Sequence, residues 1–259
     1  MIKHRSFLLS LQVLLLASTN TIASDQTITV AVASNFHTTL LEIAEQYEAL
    51  SGHAVRISAA SSGKLYAQIS NGAPFDVFLS ADTERPRRLE SAGFAIDGSR
   101  FTYAIGNLVL WSRDPALAGD DCKDRLERLQ ISRLAIANPV TAPYGTASRQ
   151  ALENLGIWTE VRSRLVVGEN ISQALQFAAS GGATLGLVAA AQVKNPRLPA
   201  TSCLWPVPGD LHSPIEQQAV RLRTGADARL VAEFTAFLRS DVTRAIILHH
   251  GYSLPTTVR

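Results

Sequence analysis

Two short loops carry residues suited to holding a negatively charged ligand, Ala33-Ser34-Asn35 and Ala60-Ser61-Ser62-Gly63. Each follows a strand-like run and opens a helix-like one. Hydroxyls and free backbone N–H groups therefore stand at helix N-termini, where the peptide dipoles favour negative charge. Two further loops share this placement, Ala142-Pro143-Tyr144-Gly145 and Gly168-Glu169-Asn170-Ile171. Taken singly, each has a plainer reading. Ser34-Asn35 could be an ordinary helix cap, and Tyr144 in Pro-Tyr-Gly a turn residue packing on the surface. Ser61-Ser62-Gly63-Lys64 falls short of a nucleotide phosphate loop, because Ser58 stands where its first glycine belongs. The joint occurrence of the loops points to an oxyanion held by neutral donors.

Catalytic chemistry has weaker support. The sequence has no Gly-x-Ser-x-Gly elbow, no His-Glu-x-x-His and no close metal-ligand spacing among its histidines. His249 and His250 are adjacent in a helix-like run and point to different faces. Asp76 and Asp82 flank a strand, with Asp76 expected to cap the turn after Pro74. A binding protein rather than an enzyme is expected; the enzymatic alternative is a serine hydrolase using Ser62.

The elements that position these loops alternate in type. Thr27 to Ala33 reads as strand, Phe36 to Leu50 as amphipathic helix, Ala54 to Ser58 as strand, Lys64 to Ser70 as helix, Val77 to Ser80 as strand and Glu84 to Ser91 as helix. Tyr103 to Trp111 reads as one long strand able to carry the chain into a second lobe. The same grammar then restarts. Arg133 to Ala137 is a strand, Thr146 to Leu155 a helix, Leu165 to Val167 a strand, Ser172 to Ala179 a helix ended by Gly181-Gly182, and Leu185 to Ala190 a strand. A Pro-rich stretch, Pro196 to Pro214, interrupts the pattern before a strand at Glu216 to Leu222 and helices at Ala226 to Leu238 and Val242 to His249. Repeated βαβ units imply α/β lobes with mostly parallel sheets, whose ligands sit beyond the strands' carboxyl ends. Two such lobes would face each other across a cleft.

Lys3, His4 and Arg5 precede an apolar run from Phe7 to Ala17 and the small-residue stretch Thr21-Ile22-Ala23-Ser24. This is the pattern of a secretory signal peptide over residues 1–23. Its removal takes Lys3 and Arg5 from 24 basic residues and none from 22 acidic ones, leaving 22 of each. A neutral chain is ill suited to nucleic acid, and the Arg85 to Arg88 cluster, broken by Pro86, reads as a solvated helix start. Hydrophobic residues make up 46% and exclude a disordered chain. Cys122 and Cys203, the only two cysteines, are expected to form a disulfide inside the second lobe of a secreted protein; two separate buried thiols are the alternative.

Several stretches in order resemble the periplasmic molybdate-binding proteins of ABC importers. They include Thr29 to Phe36, Ser61-Ser62-Gly63-Lys64-Leu65, Gly72 to Asp82, Ala137-Asn138-Pro139 through Gly145, Gly168 to Leu175 and Gly186 to Gln192. The resemblance implies the two-lobed type II periplasmic binding fold. Lobe I would comprise 24–104 and 219–259, and lobe II 105–218. It also implies capture of molybdate, and of tungstate, in the periplasm, by a monomer that delivers the ion to an inner-membrane permease with a cytoplasmic ATPase. The contacts it implies are Ser34 and Ser62, backbone N–H groups at Tyr144 and Ile171, and an amide from Asn35. Molybdenum would be held as molybdate, with no direct metal ligand and no cofactor. One branch of the family adds a tyrosine hydroxyl where this chain has Ala189, which points to the branch that uses Asn35 instead. Binding of another oxyanion, such as sulfate or phosphate, is the alternative ligand reading.

Overall fold

A computed structural model describes residues 27–223 and 227–256. The expected signal segment, residues 1–23, lies outside them. The chain begins with β1 (Thr27–Ala33), a 3-10 turn over Ser34–Phe36, α1 (His37–Ser51), β2 (Ala54–Ala60), α2 (Ser62–Ser70), β3 (Val77–Ser80), α3 (Glu84–Ser91) and β4 (Phe101–Gly106). It continues as β5 (Leu108–Ser112), α4 (Cys122–Glu127), β6 (Leu134–Ala137), α5 (Pro143–Asn154), α6 (Trp158–Val161), β7 (Leu165–Gly168), α7 (Ile171–Ala179), β8 (Leu185–Ala189), α8 (Ala190–Val193) and β9 (Cys203–Pro206). It closes with β10 (Ile215–Arg221), α9 (Ala228–Phe237) and α10 (Asp241–His249).

Two five-stranded sheets result, ordered β2-β1-β3-β10-β4 and β7-β6-β8-β5-β9. Each repeats one plan. Three parallel strands adjoin a reversed one, β10 in the first sheet and β5 in the second, which pairs antiparallel on both sides. The reversed strand is in both cases the one by which the chain arrives from the other sheet. The inner parallel strands β1, β3, β6 and β8 are largely apolar, as burial on both faces requires, while the edge strands β2 and β7 are partly exposed. Ile28, Val30 and Val32 of β1 pack with Phe36, Leu40, Ile43 and Phe234. In the second sheet, Leu110, Ile136, Leu185 and Leu187 pack with Ala151 and Leu152 of α5.

The long strand expected from Tyr103 to Trp111 is two strands in different sheets, separated by Asn107. The Gly106-Asn107 pair interrupts the run, but it does not reveal that the two halves join different sheets. At the crossing, the Asn107 carbonyl accepts the Ala190 N–H at 2.9 Å, and its Nδ2 donates to the Gly251 carbonyl at 3.3 Å. The Pro-rich stretch contains β9, a four-residue edge strand defined by its pairing with β5. The short helices α4, α6 and α8 offer too few turns for periodicity to show. Three helices also start earlier than their apolar patterns do: α2 at Ser62, α5 at Pro143 and α7 at Ile171. Asp76 corrects its expected capping role: its Oδ2 accepts the Thr29 N–H and hydroxyl, both at 2.7 Å. It thereby fastens β1 to the start of β3.

Cys122 on α4 and Cys203 on β9 form the disulfide, with Cα atoms 5.7 Å apart and a sequence separation of 81. Cross-linking so distant a pair restricts the unfolded chain strongly, an effect of roughly 2–5 kcal/mol. Urea melts with and without reductant should give unfolding free energies that differ by that amount; coincident curves would show that the bond carries no stability.

Candidate anion-binding site

The first N–H groups of an α-helix have no acceptor within it, and three helices aim such groups at one point. Ser61 caps α2, its Oγ accepting from the Lys64 N–H at 3.4 Å. Ser62, the first helical residue, accepts the Ala81 N–H on its own Oγ at 3.0 Å. That bond occupies a lone pair and leaves the hydroxyl hydrogen free to donate. At α5, Pro143 has no N–H, so Tyr144 supplies the first one. At α7, the Asn170 side chain accepts from Gln173 at 3.1 Å, leaving the Ile171 N–H to face outward. The fourth contributor is the turn after β1, which presents Ser34 and Asn35.

These loops from both lobes enclose a cavity of about 10 Å³. Its polar lining is Ser34, Asn35, Ser61, Ser62, Tyr144 and Ile171, and the remainder is Ala33, Ala60, Ala81, Ala142 and Pro143. No side chain in that lining carries a charge. A space of about one water's size excludes a nucleotide, peptide or sugar. Such a wall stabilises an anion through fixed, desolvated dipoles. A larger cavity of about 290 Å³ opens behind it among α1, α8 and α10, beside the His250–Glu42 pair at 2.7 Å. Its lining mixes the Glu42 carboxylate with Lys194, His249 and His250, so it lacks the uncharged wall of the smaller cavity.

Across the cleft, the Gly63 N–H donates to the Thr141 carbonyl at 2.8 Å, and Ser172 Oγ donates to the Ser34 carbonyl at 3.1 Å. Arg85, paired with Asp82, reaches the Val140 carbonyl at 3.3 Å. The Arg85 end of the basic cluster is thus an interlobe contact rather than a solvated helix start. Lys64 and Glu169 pair at 2.6 Å but are half exposed, so solvent screens them. Gly63 has no room for a side chain, since a Cβ there would lie 2.9 Å from the Thr141 carbonyl oxygen.

All five residues singled out by sequence, Ser34, Asn35, Ser62, Tyr144 and Ile171, line this one cavity. Asn35 has its carboxamide fixed from behind. Its Nδ2 donates to Gln217 Oε1 at 2.8 Å and to the Tyr252 hydroxyl at 3.1 Å, while the Tyr252 hydroxyl donates to the Asn35 carbonyl at 2.8 Å. Tyr144 is not on the surface: the residue is 1% exposed and lies in a buried cluster that joins second-lobe residues to Ala33, Ala81 and Ile215 of the first. Burial pushes its phenol well above the usual tyrosine range, with Tyr252 and Tyr103 adding to the rise. Burial does the same to Tyr103 and Tyr252. Gln217, Tyr103 and Tyr252 were not foreseen. Gln217 is the middle of three consecutive polar residues, Glu216 to Gln218, where nothing local marks it as buried.

Residues 28–253 match the family described as bacterial extracellular solute-binding protein. A molybdate-binding protein ModA from Azotobacter vinelandii is 46% identical over 226 residues, covering 87% of this chain and 89% of the relative. The solved structure of a periplasmic molybdate-binding protein from A. vinelandii superposes with a TM-score of 0.84 at 42% identity, covering 88% of this chain and 100% of that one. The chain belongs to the ModA family. A further ModA relative, from Rhodobacter capsulatus, is 42% identical over 222 residues, covering 86% of each chain. The two-lobed fold expected from the family motifs is the one observed. At the end of β8 the position occupied by a tyrosine in one branch of the family is a fully buried alanine, Ala189.

Because the Tyr144 ring is buried, its removal has a consequence that a main-chain role alone would not. Tyr144→Ala should lower stability by roughly 3–5 kcal/mol through the cavity it leaves. Denaturant melts check this, and a loss below about 1 kcal/mol would show that the ring packs loosely.

Proposed function

We propose that this protein captures molybdate, and also tungstate, between its lobes in the periplasm and hands it to an ABC permease driven by a cytoplasmic ATPase. The carrying observation is the uncharged, donor-rich cavity shared by both lobes. Identity to relatives named as molybdate-binding proteins supports the choice of ion. In this reading Ser34 and Ser62 donate through their hydroxyls, Tyr144 and Ile171 through backbone N–H groups, and the Asn35 region completes the shell. Molybdenum is held through its oxygens alone.

Neutral donors suit a fully ionised tetrahedral dianion. Several N–H and O–H dipoles divide its charge, and no titratable partner has to be neutralised on release. Phosphate retains a proton near neutral pH, and that proton would meet only donors. Sulfate has the right charge but is smaller. Donors spaced for the larger ion would leave some N–H groups desolvated and unpaired, at about 1–3 kcal/mol each.

Calorimetric titration of ligand-stripped protein should therefore give tight binding of molybdate and tungstate, weak binding of sulfate and none of phosphate. Sulfate or phosphate affinity equal to that of molybdate would end the assignment. Affinity should also stay flat from neutral to mildly alkaline pH. The phenols around the site have pKa values raised by burial, so they stay neutral there. Their contribution to stability is complete below the ordinary tyrosine pKa of about 10 and is lost as pH rises above it.

Individual donors can be weighed by deletion. Ser34→Ala or Ser62→Ala leaves one ligand oxygen short of a charge-assisted bond and should cost about 1.5–3 kcal/mol of binding. Calorimetry on folded variants measures it, and unchanged affinity in both would remove the hydroxyls from the site.

A further inference from the structure

Strand β10 changes register between Gln217 and Gln218, where it pairs with β4. Such bulges re-aim a side chain, and here Gln217 points inward, fully buried. Its Oε1 accepts from Asn35 Nδ2 at 2.8 Å and from the Tyr103 hydroxyl at 3.2 Å. Its Nε2 makes no well-formed hydrogen bond, and neither does the buried Tyr144 hydroxyl, although Gln217 faces the phenol closely enough to pull its pKa down against the larger effect of burial. The two unpaired groups are neighbours. A Cβ placed on Gly106 would lie 2.2 Å from the Tyr144 hydroxyl oxygen and 2.9 Å from Gln217 Nε2. Gly106 ends β4, one residue before the crossing at Asn107. Tyr144 comes from the second lobe, while Gly106 on β4 and Gln217 on β10 belong to the first sheet, which therefore takes in residues beyond the expected lobe limits at 104 and 219. The Tyr144 ring therefore plugs into the first lobe beside the crossing, in a seat that only glycine leaves open.

We propose that Gln217 is a positioning residue that couples the anion site to lobe closure. Its Oε1 fixes Asn35 at the cavity wall, and its Nε2 donates to the Tyr144 hydroxyl that the second lobe delivers as it closes. One carboxamide offers both an acceptor and a donor in a single plane, which suits this double task. Tyr144 has a matching duality, with its backbone N–H at the cavity and its phenol at the seat. Two buried polar groups left apart are costly, so joining them favours the closed arrangement. This inference rests on the anion-capture reading for its ligand, but not for the coupling itself.

The test compares the wild-type protein with Gln217→Met, Tyr144→Phe and the double variant. Molybdate affinity and release rate are measured on each, and interlobe distances without ligand come from spin labels on Gln68→Cys and Val140→Cys. Each single change should weaken affinity about tenfold through faster release, and the double change should cost little more than the larger single one, as coupled residues do. The unliganded distances should shift toward the open form in every variant. Losses that multiply in the double variant, or release rates that stay at the wild-type value, would overturn the proposal. Should Gln217→Met not fold, Gly106→Ala replaces it, since its Cβ occupies the place of the Tyr144 hydroxyl. It should speed release and open the lobes, and wild-type behaviour on both counts would equally overturn the proposal. Wild-type protein that ignores molybdate would sink the functional reading instead, and the distances without ligand would still decide the coupling.

Discussion

Helix N-termini cannot satisfy their own first N–H groups, and this chain turns that constraint into a site. Three helices and one 3-10 turn, drawn from two lobes, bring such groups to a single small cavity. Neither lobe supplies enough donors by itself, so a dianion without a cationic partner is fully surrounded only when both lobes meet. Capture and closure become one event in the proposed function. The loops sit at the carboxyl ends of parallel strands because each strand there passes directly into a helix.

Beside the buried Tyr144 ring, the hydrogen bonds that hold the lobes together across the cleft are modest, which suits a receptor that must reopen. Gly63 to Thr141 and Ser172 to Ser34 are neutral hydrogen bonds, each worth about 1 kcal/mol net. The Lys64–Glu169 pair at the rim is exposed and adds little. Within each lobe, by contrast, the sheets are apolar and continuous, and the second lobe carries a disulfide as well. Rigid bodies joined by a weak interface place the compliance at the crossings, where Asn107 lies.

The crossing also explains the single reversed strand of each sheet. A chain that leaves one sheet for the other enters it against the run of the parallel strands, so β5 and β10 occupy equivalent places in two copies of one plan. The equivalence brings β10, with its bulge at Gln217, up against the site. It is also why residues from opposite ends of the chain, Asn35 and Tyr252, meet in one hydrogen-bond cluster.

What the sequence alone determined was the local grammar. The apolar strands at Thr27–Ala33 and Val77–Ser80 and the helix at Glu84–Ser91 are read to the residue, because burial and periodicity are written in consecutive side chains. The loops carrying Ser34, Asn35, Ser62, Tyr144 and Ile171 are legible for the same reason, since each stands at a change of period. The cysteine pair followed from compartment chemistry. What only the tertiary structure decided depends on partners far away in sequence: the break of one apolar run at Asn107 into strands of two sheets, the edge strand β9, and the reach of Arg85 across the cleft. The buried ring of Tyr144 and the inward turn of Gln217 belong to this second kind. A polar or aromatic side chain in a short element looks the same whether it faces water or another lobe, and only the packing of the whole chain settles which.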